Sequence, residues 1–321
     1  MTLIKNPISI VQSGGGGVSR PTTWAEFAGM TSTDMQKVYG VGDRVGIACS
    51  WSDISDLTFQ IAGWGTTKLE NDNTLYPCVT LVSMTLLSKN YEFDAAETPL
   101  EATEINALAG IYYFGFDGTN YTYLNLSTGD AIPYSDYTAV YKTDATSDVT
   151  NYRNIITSGY NNYAVSNIRE WLNSNGTANA WWSPAHVGDG SPSYSNEDGF
   201  LKGLASSFVS ILQPIEVATA NDTVYDKIFI PSLYEKGIAG SYEEGEIMRC
   251  YTIAGNSNNG AKTLSPAGGG TTLPYLTRTR RNVSDDFKSL LSVTNRGAQG
   301  TVVSSTSSSV NVACKIILAG A

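Results

Sequence analysis

From Gly110 to Thr143 the chain reads GIYYFGFDGTNYTYLNLSTGDAIPYSDYTAVYKT. Two aromatic-rich runs with alternating tyrosines flank a D-G turn, a pattern that predicts an antiparallel hairpin. Asp117-Gly118 suits the positive φ angles of a type I′ turn, and STGDAIPY supplies a second turn. The tyrosines are placed to stack across strands, each pair contributing about 0.2–1 kcal/mol. A tyrosine-rich strand can also act as a ligand platform; packing is the expected role.

The same punctuation recurs along the chain. VGDRVGIACSW (Val41 to Trp51), LTFQIAGWG (Leu57 to Gly65) and YPCVTLVSMTLL (Tyr76 to Leu87) read as strands between Gly, Asp and Asn turns, enough for a small antiparallel sheet. Helical patterns are short. PTTWAEFAGM reads as a capped helix with Trp24 and Phe27 on one face, and TPLEATEINAL (Thr98 to Leu108) as another. In SNIREWLNS, Ser166 is a candidate N-cap, and Ile168, Trp171 and Leu172 share one side, with Arg169 and Glu170 facing water. Gly176 can take the left-handed conformation that ends the helix. EDGFLKGLASSFVSIL predicts a further helix, with Phe200, Leu204, Phe208 and Leu212 on one face. DKIFIPSLYE reads as a buried strand, and SVNVACKIIL (Ser309 to Leu318) as a central one. At the other end, ISIV and four consecutive glycines predict either a flexible arm over residues 1–20 or one that a partner surface orders, suited to strand addition.

Hydrophobic residues make up 41% of the 321 and charged ones 16%, so the surface is polar rather than charged. A net charge of −10 argues against a nucleic-acid partner, which needs a basic face. The one basic cluster, Arg278, Arg280 and Arg281, runs into Ser284–Asp286 and reads as a solvated or neutralised loop. No signal peptide and no membrane-spanning run are expected, and hence no membrane insertion. Cys49, Cys78, Cys250 and Cys314 lack the spacing of a zinc site or a disulfide framework and read as reduced thiols.

With a single histidine, any Ser-His-Asp or Cys-His machinery would have to use His186, which lies in a Pro/Gly loop without a nucleophile elbow. No phosphate-binding glycine motif is present. Asp189, Glu197 and Asp198 are hard oxygen donors for a structural Ca²⁺, although their spacing matches no EF-hand. No other cofactor is expected. A carboxylate pair for glycoside hydrolysis could be drawn from many positions, Asp117 with Glu170 for example.

The motif order resembles a domain family of uncharacterised function found in phages and prophages of gut bacteria. Its members carry an S-x-I-R-x-W-L-N helix, a D-x-I-F-L-L-S-like strand, a W-L-R-S-like segment and a final R-P strand. The helix is matched by Ser166, Ile168, Arg169, Trp171, Leu172 and Asn173, and DKIFIPSLYE matches the strand. Tyr275-Leu276-Thr277-Arg278 departs from W-L-R-S, and Ala313-Cys314-Lys315 replaces R-P. The resemblance implies a C-type-lectin-like fold, like that of the formylglycine-generating enzymes, but without their copper-binding cysteine pair. It also implies a structural role for the matched residues, with Arg169 and Trp171 pinning the helix to the sheet.

The expected fold is thus α+β: an arm at 1–20, a small β-rich part at 21–95, and a C-type-lectin-like domain at 96–321 with antiparallel sheets and two or three short helices. The expected function is that of a non-enzymatic, homo-oligomeric bacteriophage virion protein on the tail or fibre. It would join other virion proteins through its arm and bind a host-surface glycan or protein. Capsid decoration and glycan hydrolysis are the alternatives. Recognition concentrates on loops carried by a rigid scaffold. The candidates here are Trp181 to Ser195, with Trp181, Trp182, His186 and Tyr194, and Asn256 to Thr272, with Asn256 and Asn258.

Overall fold

The computed structural model describes residues 17–51, 54–144, 146–220, 222–238, 244–252, 262–267, 269–281 and 288–320. Helix α1 (Trp24–Ala28) starts where expected. The Thr23 hydroxyl accepts from the Glu26 N–H while the Glu26 carboxylate accepts from the Thr23 N–H, a capping box that satisfies two orphan donors. Helix α2 (Ser32–Val38) follows, and then the three expected strands β1 (Arg44–Trp51), β2 (Ile54–Leu69) and β3 (Asp72–Ser83). After β4 (Asn90–Tyr91) comes the tyrosine-rich meander β5 (Tyr112–Phe116), β6 (Tyr121–Leu124) and β7 (Ala139–Thr143). Helices α3 (Val149–Ser158), α4 (Asn167–Asn173) and α5 (Ser206–Val209) lead to β8 (Ile215–Ala218) and β9 (Thr223–Asp226). Helix α6 (Arg249–Thr252) precedes β10 (Tyr275–Arg280), β11 (Ser289–Val293), β12 (Gln299–Val303), β13 (Ser308–Ser309) and β14 (Ala313–Ile317).

The strands form three sheets within an α+β fold. Six of them run in the order β14-β3-β2-β8-β9, with β1 also on β2, all antiparallel. A second sheet has the order β12-β11-β10-β13-β4 and a third β6-β5-β7. The largest apolar cluster runs from Trp24 to Leu318, so the first sheet and its core cross the division expected at residues 95 and 96.

Several sequence expectations need correction. The D-G hairpin has positive φ only at Gly118 (101°), the first central position, which is the II′ pattern; Asp117 instead accepts from the N–H groups of Thr119 and Asn120. Residues 98–108 form an irregular segment with a turn at 102–103 rather than a helix, and Leu100 and Ala107 donate to the carbonyls of Val140 and Asp130 beside the third sheet. The predicted helix over 197–212 is broken. Phe200, Leu204, Phe208 and Leu212 are all buried, but between the short turn Phe200–Gly203 and α5 the chain bridges to β1 through Leu204 and Cys49. Gly203 packs so closely on the Trp51 ring that a Cβ there would lie 2.0 Å from Nε1.

Ile228, Phe229 and Ile230 are buried, though only Phe229 makes a bridge, to Ala313. Among the described residues that bridge is all that flanks β14 on the side away from β3, so β14 ends its sheet's path rather than running through the middle. Four α-helices, not two or three, fall among the described residues of 96–321. Arg278 is no solvated loop residue: it lies on β10, 1% exposed. Most of the predicted arm, residues 1–16, lies outside the described residues. Its last residue belongs to the body, since Arg20 reaches Asp43 at 3.4 Å and sits over the Tyr39 ring. No described helix is long and apolar enough to cross a membrane.

Candidate functional site

Most of the loop singled out by sequence is committed to packing. Trp181 (6% exposed) stacks on Tyr194 at 5.8 Å, and its indole N–H donates to the Glu197 carbonyl. Tyr194 lies edge-on to Tyr91 and Trp171 and donates to the Glu92 carbonyl. Trp182 is half-buried against the same core. Aromatic rings meeting in stacked and edge-on pairs contribute beyond their buried area, so these side chains hold the loop to the body rather than presenting it. Asn256 and Asn258 lie outside the described residues.

Helix α4 shows what each matched residue does. Ile168, Trp171 and Leu172 are buried on one side, as their spacing requires, and Trp171 stacks on Tyr91 at 4.3 Å. Ser166 occupies the N-cap position without capping, since its hydroxyl donates to the Tyr163 carbonyl. Arg169 does not face water: its Nε donates to Asp226 at 2.8 Å and its Nη1 to the Ala164 carbonyl, pinning the helix to β9. Asn173 accepts from the N–H groups of Lys227 and Ile228 and donates to the carbonyls of Arg169 and Ile228. Glu170 is half-buried and accepts from Ser183. A groove of about 450 Å³ runs between α4, Trp181–Ala185 and Tyr225–Asp226. Of its charged groups, Arg169 pairs with Asp226 Oδ1, while Asp226 Oδ2 and Glu170 Oε2 are buried without a hydrogen-bond partner among the described residues.

Behind that loop lies a buried acidic cluster. His186 Nε2 meets Glu97 Oε1 at 2.7 Å, while Nδ1 faces Asp189 Oδ2 at 3.9 Å, beyond hydrogen-bond reach. Asn167 donates to Asp189 from its side chain and to Asp94 from its backbone, tying the start of α4 to both. Burial pushes the imidazole down, but the Glu97 hydrogen bond and the charges of Glu97, Asp189 and Asp94 outweigh it and raise His186 to about 9. Burial raises all three carboxyls, Asp94 furthest, with the neighbouring Asp189 adding to it.

These groups hydrogen-bond to one another, to Asn167 and to backbone N–H groups, and backbone closes on the space around them. A Cβ at Gly190 would lie 1.9 Å from the Ala96 carbonyl. The remaining cation candidates are separately engaged, Glu197 with Lys89 and Asp198 with Lys202. Among the described residues no group of three or more His, Cys, Asp or Glu side chains has the arrangement of a metal site. Asp117, half of the hydrolase pair named from sequence, is taken up by its own turn.

The more open chemistry sits elsewhere, in a cleft that sequence reading did not find. Two adjoining cavities of about 100 and about 410 Å³ lie along β2, sharing Thr66, Glu235, Glu246 and Lys315 in their walls. Trp64 stands between Gly63 and Gly65, which let the segment Glu246–Arg249 come close: a Cβ on Gly65 would lie 3.3 Å from Glu246 Oε2. The Trp64 indole N–H and the Thr67 hydroxyl are buried in these walls without a hydrogen-bond partner, an uncommon state for a buried polar atom. Leu75 (61% exposed) and Ile247 (38% exposed) add apolar surface at the cleft. Lys68 and Glu216 face each other across 3.6 Å. The signal was present in the sequence as GWGTTK, but the cleft needs β8 and residues 245–249, which only folding brings to it. Compared with known proteins, the chain matches no family model, no curated protein and no solved structure.

Proposed function

We propose that this chain is a non-enzymatic bacteriophage virion protein of C-type-lectin-like fold that binds a host-surface glycan in the cleft beside Trp64. The observation that carries this reading is the pairing of an indole N–H and a hydroxyl, both unpartnered, with exposed apolar surface in one cavity of about 410 Å³ and its smaller neighbour. Saccharides present hydroxyls around apolar ring faces, and pockets that take small ligands combine apolar walls with a few placed polar groups. The polar, tyrosine-rich surface supports the same reading, since such chemistry gives contact area at low entropic cost. A place on the tail or fibre, attachment through the N-terminal arm and a homo-oligomeric state complete the proposal.

The test is binding of the full chain to an array of bacterial surface glycans, alongside Trp64→Ala and Thr67→Val. Saturable binding that both substitutions weaken by about tenfold or more supports the cleft. Binding by no glycan, with the protein found on the heads of purified particles, would replace this reading with capsid decoration. Glu216 and Glu246 both line the larger cavity, and this favours one second reading, a glycan hydrolase. Turnover of host wall material that is lost in Glu216→Gln or Glu246→Gln would establish it.

A further inference from the structure

Lys236 is wholly buried, in the turn that follows the buried segment Ile228–Ile230. Its Nζ donates to the Tyr251 hydroxyl at 2.6 Å and to Asn311 Oδ1, and it lies over the rings of Tyr251 (4.7 Å) and Tyr275 (5.1 Å). No carboxylate among the described residues pairs with it. Its neighbour Glu235 is held instead by Arg278, in two hydrogen bonds of 2.7 and 3.0 Å. Asn311 is equally buried, just before β14. Its amide nitrogen donates to the Ser83 carbonyl at 2.8 Å and to Ser83 Oγ, which fixes its oxygen toward the lysine. An amine without a counter-ion thus faces the carboxamide of a residue 75 positions away, inside an aromatic box.

We propose that Lys236 and Asn311 form an intramolecular isopeptide bond. Nζ attacks Asn311 Cγ, the Nζ–Cγ bond forms, the Cγ–Nδ2 bond breaks, and the side-chain nitrogen leaves as ammonia. One Nζ proton ends on the departing nitrogen; the Tyr251 hydroxyl stands at the amine end of this transfer and the Ser83 hydroxyl at the amide end. No oxidant, metal or second substrate is required. Two features favour the reaction. Burial lowers the Lys236 ammonium to about 7, so a large share of the nucleophilic free amine exists near neutral pH. The two groups are also held together by the fold, which makes the attack effectively unimolecular. The product is an uncharged amide, better suited to this interior than a buried cation. It would close the chain between residues 236 and 311 in a protein whose four cysteines form no disulfide, and it stands independently of glycan binding.

The experiment is denaturing mass spectrometry of the full-length folded protein, with sequencing of its proteolytic peptides. The expected result is a deficit of one ammonia and a branched peptide joining Lys236 to Asn311. Lys236→Met removes both, and Asn311→Asp changes the deficit to one water. A full sequence mass after prolonged incubation at neutral pH, with Lys236 and Asn311 recovered in separate linear peptides, overturns the proposal. An ammonia deficit with no branched peptide is succinimide formation at an asparagine and overturns it equally. Because the branched peptide is read from the unaltered chain, the outcome does not depend on either variant folding.

Discussion

Around His186 three buried carboxyls share one base, whereas around Arg278 and Lys236 two buried bases share few acids. In the first region Glu97 takes the hydrogen bond from His186 while Asp94 and Asp189 are held by backbone N–H groups and Asn167. In the second, Glu235 and the Ile230 and Ala218 carbonyls take every nitrogen of Arg278, and Lys236 is left with neutral partners. Guanidinium keeps its charge at any pH a protein meets, so its region is held by a fixed ion pair. Imidazole does not, so the acidic region is tied to proton concentration. The Arg278–Glu235 clamp is indifferent to pH, whereas the His186 cluster responds to it.

The strongest way to break the contrast is Arg278→Met. It leaves Glu235 buried without a counter-charge, and removal of one partner from a buried pair costs about 3–5 kcal/mol. Urea unfolding should show a loss of that size; a loss under about 1 kcal/mol would mean that the pair is not the clamp described.

The second test is pH. The folded-state value of His186, about 9, is raised above its unfolded 6.5. Its contribution is therefore fully present below pH 6.5 and lost as pH rises through 9. Burial also raises Asp94, Glu97 and Asp189, and an acid that binds its proton more tightly when folded shifts stability in the same direction, downward as pH climbs. Lys236, lowered to about 7, shifts stability upward over the same range. The His186 contribution is therefore read as the difference between the wild type and His186→Gln, which should shrink by roughly 2–3 kcal/mol between pH 6.5 and 9. The same His186→Gln change made in Arg278→Met should give the same pH-dependent difference. An unchanged slope in His186→Gln would remove the distinction between the two regions.

Thr279→Val sharpens the basic side. The Thr279 hydroxyl accepts from the Leu233 N–H and donates to Glu244, so its loss strands a buried donor and should cost about 1–2 kcal/mol by the same unfolding measurement. The smallest effect belongs to the surface. Lys68 and Glu216 are each about one-third exposed, and Lys68→Ala should change stability by less than about 1 kcal/mol. A larger change would show the cleft to be structural rather than open for a ligand.

How far the sequence revealed these regions depended on distance along the chain. Helix α4 was legible because Ile168, Trp171 and Leu172 repeat within one turn, although neither expected cap forms: Ser166 turns its hydroxyl to Tyr163, and the helix ends at Ser174 without a left-handed Gly176. Burial of Phe200, Leu204, Phe208 and Leu212 was legible from the same kind of period. Their division into separate turns was not, because it follows from Gly203 meeting Trp51, a contact across the fold. Arg278 was misread for a local reason, since the acidic residues next to it in sequence suggested neutralisation in solvent, while its partner Glu235 lies 43 positions away. Trp181 and Tyr194 have the composition of a binding loop, and only the stacking of one on the other shows where their surface is spent. The Trp64 cleft and the Lys236–Asn311 pair join segments that no periodicity connects.

The antiparallel contact between β14 and β3 carries a consequence for biogenesis. Residues 313–317 complete a sheet whose other strands include residues 78–82, and Asn311 reaches back 228 positions to Ser83. While a ribosome is still making the intervening chain, Val79 and Leu81 have no strand to cover that edge, and such non-local pairing is slow and prone to aggregation. A nascent chain of this protein should therefore need chaperone shielding over most of its synthesis. A version truncated before residue 313 should accumulate as insoluble material rather than as a smaller folded domain.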